Sequence, residues 1–151
     1  MTLTSGLAQG TAKKKINPHS VHAVTAGKIH KMAKRPDNTV SVKKFSNIDG
    51  YKILIKMKGG TYADVEMIWT SIKSVWVVDG YIYTYRSGAR YQGQYIEKIG
   101  IDNVRGLSAY LQTIADKTAN AYKIADSYRK KGWLNNKGDI VRSPNNPLAR
   151  Q

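Results

Sequence analysis

The segment Tyr51–Lys58 (YKILIKMK) places Tyr51, Ile53, Ile55 and Met57 on one parity and Lys52, Lys56 and Lys58 on the other. A period of two is the mark of a strand with one buried face and one wet face. Similar runs flank it. Val40–Phe45 follows the turn-forming RPDN, and IDG at 48–50 separates it from the lysine strand. Gly59-Gly60 turns the chain into Tyr62–Trp69. Ser74–Val78 and Tyr81–Arg86 read as a hairpin closed by Asp79-Gly80, because Asp-Gly suits the positive φ angles of a type I′ turn. Ser87-Gly88 then leads into Tyr91–Ile99. The pattern predicts an antiparallel meander of about five or six strands, able to curl toward a barrel.

Beyond residue 100 the period changes. Leu107, Leu111, Ile114, Thr118, Ala121, Ala125 and Tyr128 fall at alternating spacings of four and three. That is one continuous helical stripe. Asp102 or Asn103 supplies the N-cap, Arg129, Lys130 and Lys131 suit the negative end of the helix dipole, and Gly132 is a stop. The helix is expected over about 103–131, and its Thr and Ala positions let it lie close on a sheet. A second helix is expected from Ser20, an N-cap, to Arg35, with Pro36 ending it and Val21, Val24, Ile29 and Met32 as a narrow apolar face. The fold class is therefore α+β: a meander closed by a long C-terminal helix, with basic N- and C-terminal arms. Residues 1–36 read as the N-terminal arm, 37–132 as the core domain and 133–151 as a polar tail.

Charge adds a partner. The chain of 151 residues has 25 Lys+Arg against 10 Asp+Glu, a formal net charge of +15. The first 36 residues hold seven of the bases, all three histidines and no carboxylate. Such an excess attracts a polyanion. Lys13, Lys14, Lys15, Lys28, Lys31, Lys34 and Arg35 are candidates to neutralise phosphates, with salt-dependent and sequence-independent affinity. Lys43, Lys44, Lys52, Lys56 and Lys58 offer either a basic sheet face or a solvated, edge-guarding one.

The ten tyrosines have two readings. Tyr81, Tyr83 and Tyr85 share a parity, as do Tyr91 and Tyr95, and Arg86 and Arg90 flank the turn between the strands. Packed under the helix they are core. Left open, Tyr83, Tyr85 and Tyr91 with the two arginines form a platform on which unpaired bases stack.

Other chemistry finds little support. The absence of Cys excludes disulfides and thiolate metal sites. His19, His22 and His30 have no carboxylate near them in sequence to complete a metal site. Asp64 and Glu66 share a strand face, but no Asp/Glu-x-Lys triplet follows, and no GxxxxGK[ST] loop is present. The sequence points to no catalytic residue, no metal and no cofactor. No run is apolar enough to span a bilayer, and the N-terminus has its charges after its apolar residues, the reverse of a secretory signal. The expected location is the cytoplasm or the interior of a nucleoprotein or virus-like particle.

One stretch, VEMIWTSIKSVWVVDGYIYTYRSGARYQGQYIEKIGIDNVRGLSAYLQTIA (65–115), resembles the end of bacterial pleckstrin-homology-like domains. The resemblance runs through the Trp69–Ile72 step, the Val75–Tyr85 aromatic hairpin, the Tyr91–Ile99 return strand and the helix from about 103. The return strand departs from that pattern in lacking an apolar-Pro step. The resemblance implies a binding platform for membranes, peptides or proteins, with no catalytic residue and no ligand site carried over. Three functions follow as expectations. The first is a non-catalytic nucleic-acid-associated protein, either a DNA or RNA binder or a basic component of a nucleoprotein particle. The second is an interaction module for anionic lipid or an acidic protein. The third is an oligomeric scaffold.

Overall fold

The computed structural model describes residues 20–150. A 3₁₀ turn at Val21–Ala23 leads into helix α1 (Ala26–Ala33). Five strands follow: β1 (Thr39–Lys44), β2 (Gly50–Lys56), β3 (Tyr62–Thr70), β4 (Val75–Ser87) and β5 (Arg90–Ile101). Helix α2 (Val104–Lys130) comes next, and a 3₁₀ turn at Pro147–Arg150 ends the described chain. The strands pair in chain order, each antiparallel to the next. The meander and the long C-terminal helix are as the sequence predicts. The sheet is open, with β1 and β5 as edges, and does not close into a barrel.

Residues opposite each other in antiparallel strands point to the same face. One face gathers Val40, Ile53, Ile55, Ala63, Val65, Met67, Trp76, Val78 and Ile82, all buried. The stripe of α2 covers it: Leu107, Leu111, Ile114, Ala115, Thr118 and Ala121 are buried against it. Thr118 keeps its hydroxyl satisfied by donating to the Ile114 carbonyl at 2.7 Å. Helix α1 lies beside α2 over β1 and adds Ile29 and Ala33. Each fully buried Leu, Ile or Met stabilises the fold by roughly 1.5–3 kcal/mol relative to an exposed one. Both helices sit on this side, so among the described residues no helix lies over the other face of the sheet.

Several expectations are corrected. The helix expected over Ser20–Arg35 is split. Ser20 caps the 3₁₀ turn, Val24 is extended, and Thr25 caps α1 by accepting from the Lys28 amide at 3.2 Å. The break lets Val21 and Val24 both reach the core, and the Val21 carbonyl accepts the indole N–H of Trp76 at 2.8 Å. Residues 20–36 are thus part of the packed domain and not an arm.

Asp79-Gly80 is not a turn. Both residues continue β4 opposite Glu66 and Val65, and neither has positive φ. Gly80 serves close approach instead: a Cβ there would lie 2.8 Å from the Asp64 carbonyl oxygen. The hairpin closes at Gly88-Ala89, where Gly88 has φ +63. Strand β2 stops at Lys56, so Lys58 sits in the following turn and not on the lysine face. Ile72, from the Trp69–Ile72 step, is 93% exposed at the β3–β4 turn and packs into nothing.

The tail is folded as well. Gly132 (φ +81) ends α2, and the chain doubles back so that Leu134, Ile140 and Leu148 pack on Tyr85 and Ala125. Asn146, 2% exposed, fastens this loop by donating to the Trp133 and Val141 carbonyls at 2.9 and 2.7 Å. Apolar residues spaced too widely to show a period make a small second core.

Candidate nucleic-acid interface

The outer surface of the helix layer carries cations that the fold leaves uncompensated. In α1, Ile29 and Ala33 turn inward, so Lys28 and Lys31 must point to solvent. The RPDN turn is organised by Asn38. Its buried amide donates to the Ala33 carbonyl at 3.0 Å and its oxygen accepts from the Arg35 amide at 3.0 Å. Lys34 curls back onto the Asn38 carbonyl, and the Arg35 guanidinium bonds Asp116 of α2 at 3.1 Å. On α2, Lys117 and Lys123 lie on the exposed side of the stripe. Asp126 is shared by Lys130 (3.1 Å) and Arg129 (3.3 Å), and these contacts, Lys130 first, hold its carboxyl below the usual range. Among the described residues, Lys28, Lys31, Lys34, Lys117 and Lys123 make no ion pair.

Between the α1–β1 turn, the β2–β3 turn and α2 lies a cleft of about 660 Å³, lined by Arg35, Asp37, Lys58, Asp116, Tyr122 and Lys123 among others. Arg129 lies 5.8 Å from the ring centroid of the lining residue Tyr122, and its guanidinium lies against Gly59. Gly59 has φ +73, and a Cβ there would come within 2.5 Å of the guanidinium.

The open face of the sheet is different. Lys52 lies between two carboxylates, Asp64 at 2.7 Å and Glu66 at 3.2 Å. Burial disfavours its ammonium, but the hydrogen bonds and charges of the two acids outweigh this and raise its pKa. The face as a whole sets Lys43, Lys52 and Lys56 against Asp64, Glu66 and Asp79. The sequence shows Asp64 and Glu66 on one strand face, but their place beside Lys52 emerges only from the β2–β3 register.

The tyrosines divide. Tyr62, Tyr81, Tyr83 and Tyr91 cluster on the open face, with ring centroids 4.6 Å apart for Tyr62–Tyr83, Tyr81–Tyr83 and Tyr83–Tyr91. Burial first, then the neighbouring Tyr91 and Tyr83, pushes the Tyr62 phenol up to about 12. Tyr62 and Tyr83 are stacked, Tyr81 is tilted against Tyr83, and Tyr91 meets Tyr83 edge-on and stays 42% exposed. Tyr85 is not among them. A register shift between Tyr83 and Tyr85 turns it into the second core, 9% exposed. Arg86 is tied to Asp139 at 2.7 Å and lies 5.9 Å from the Tyr91 ring centroid, while Arg90 is exposed at the hairpin end. Lys43 and Lys44 are exposed on edge strand β1. Lys13, Lys14 and Lys15 lie outside the described residues.

The histidine reading is also resolved for His22. It stacks on Trp69 at 4.1 Å and bonds Asp49 at 2.6 Å. Among the described residues no three His, Asp or Glu groups converge on a metal position, and no helix is long and apolar enough to cross a membrane. No family model, no curated protein and no solved structure matches this chain.

Proposed function

We propose that this is a non-catalytic nucleic-acid-associated protein that engages the phosphate backbone through its helix layer. The observation that supports this reading is a group of cations on the outer side of the helix layer: among the described residues Lys28, Lys31, Lys34, Lys117 and Lys123 make no ion pair, while on the sheet Lys52 is held by Asp64 and Glu66. Lys13, Lys14 and Lys15 precede in sequence the segment that feeds this layer. Such contacts position a polyanion and carry no base readout.

The test is binding of the nuclease-treated, full-length protein to labelled duplex and single strands across a salt series. Each phosphate contact contributes about −0.9 to the slope of log K against log salt on duplex DNA. The variant Lys28→Ala/Lys31→Ala/Lys123→Ala is expected to make the slope shallower by about 2–3. Lys52→Ala, paired with Asp64 and Glu66 on the sheet side, is expected to leave it unchanged. No binding at low salt would end this reading, and binding to anionic vesicles in its place would favour a membrane-facing interaction module.

A further inference from the structure

The uncovered face of the sheet is divided by charge. On β1 and β2 it presents Lys43, Lys52 and Lys56 and no acid; on β3 and β4 it presents Asp64, Glu66 and Asp79, with bases only beyond the shift at Tyr83. The registers Lys43↔Lys52, Lys52↔Glu66 and Glu66↔Asp79 put two cations and two anions in one cross-strand row, cations first. A row of that kind is complementary to itself turned over. A two-fold axis running along the strands, between β2 and β3, lays β1 of one copy over β4 of another and β2 over β3. It brings Lys43 above Asp79 of the second copy and Lys52 above Glu66 of the second copy, and each contact occurs twice.

Beside the charged row the same axis lays Tyr81 over Ser41, Tyr83 over Thr39 and Tyr62 over Lys56 of the second copy, and on the other side of the row Ile68 lies over Gly50. Tyr is a residue type enriched at protein interfaces, with its ring as contact area and its hydroxyl at the wet end. Four strands about 4.8 Å apart, each presenting roughly 20 Å of length, offer on the order of 400 Å² per copy. Two such faces make about 800 Å², the scale of a weak, concentration-dependent contact. We infer that this face is the interface of a homodimer, in which two sheets pack face to face and the helix layers point outward. This inference does not rest on nucleic-acid binding. A dimer of this kind would still present its two basic helix layers on opposite outer sides.

The experiment is sedimentation velocity on the nuclease-treated, full-length chain from low micromolar to near-millimolar concentration, without nucleic acid. Dimer is expected to grow with concentration and to weaken with salt. Lys43→Glu and Asp79→Lys are each expected to raise the dimer dissociation constant by about tenfold or more, since each puts two like-charge contacts in place of two opposite ones. The double variant Lys43→Glu/Asp79→Lys is expected to recover most of the loss. Positions 43 and 79 lie three strands apart in one copy, about 14 Å. A rescue therefore reports pairing between copies and not repair within one. A wild-type chain that stays monomeric throughout overturns the inference and leaves this face to a different partner. A dimer indifferent to both single variants, or not restored by the double one, overturns it too, because the contact then lies elsewhere.

Discussion

On the helix side of the sheet, apolar residues face inward and cations face outward with few acids between them. On the open side, cations and anions stand next to each other in the plane of the sheet. Lys31 and Lys52 show what this does to one residue type. Lys31 sits on an eight-residue helix that contains no carboxylate, so its charge is directed at solvent. Lys52 sits in a strand pair whose register places Asp64 and Glu66 within hydrogen-bond reach. Net charge per chain is the same quantity on both sides, but only the first arrangement leaves it available to a polyanion. Local pairing, and not the count of bases, sets which lysines are left free for the proposed polyanion and which brace the sheet.

The sharpest test of the difference between the two faces is truncation of an aromatic on each. Trp76 is 1% exposed in the core beneath the Val21–Ala23 turn and donates its indole N–H to the Val21 carbonyl. Trp76→Ala is expected to cost about 3–5 kcal/mol through lost burial and the cavity left behind, with a lower denaturant midpoint as the readout. Tyr81→Ala, on the uncovered face, is expected to cost about 1 kcal/mol or less in dilute protein, where that face is free. A comparable loss at both positions would mean that the open face is buried by something in the protein as purified.

The next effect is reciprocal. Lys52→Ala leaves Asp64 and Glu66 on one face with nothing between them, which is expected to cost about 1 kcal/mol of stability, given that the pair is partly exposed. It should leave nucleic-acid affinity unchanged. Lys31→Ala should do the opposite: no change in unfolding, and a salt slope shallower by about 0.9. The two variants measured by urea unfolding and by binding form a two-by-two comparison. Equal effects of both on binding would erase the distinction between the faces.

The elements visible in the sequence were those set by local period. The alternation of Tyr51–Lys56 and the four-three stripe from Leu107 to Ala125 each bury one face, and each is found where the pattern places it. What escaped depends on contacts distant in sequence. Asp79-Gly80 has the chemistry of a turn, yet pairing with all of β3 keeps it extended. Tyr85 leaves its parity because one extra residue, Thr84, is inserted against β5. The tail looked extended because Leu134, Ile140 and Leu148 find their partners on β4 and α2, not on each other in a period. The basic arm was legible as charge alone. That Lys28, Lys31 and Lys34 stay unpaired while Lys52 does not follows from strand register, which no run of residues reveals in isolation.

Buried phenols make a smaller contrast. Tyr110 on α2 has a hydroxyl enclosed without a hydrogen-bond partner, and burial pushes its pKa up to about 12. Removing an unpaired buried polar atom relieves a desolvation cost. Tyr110→Phe is therefore expected to leave stability unchanged or raise it by up to about 1 kcal/mol, measured as the denaturant midpoint. A clear loss would show that the hydroxyl is bonded in solution.

The smallest effect separates the open-face tyrosines from one another. Tyr62, inside the cluster, has its phenol raised to about 12, whereas an ordinary Tyr titrates near 10. A raised acid pKa means that the folded state holds its proton more tightly than the unfolded chain does. The stability this contributes is complete below pH about 10 and is lost as pH rises through 12. In an alkaline titration followed by phenolate absorbance, the wild type should show a late component. Tyr62→Phe should reduce that component, and Tyr110→Phe should reduce it independently, since the two lie on opposite faces of the sheet. If Tyr62→Phe instead removes amplitude near pH 10, the cluster is open to water, as a surface on which bases stack would have to be.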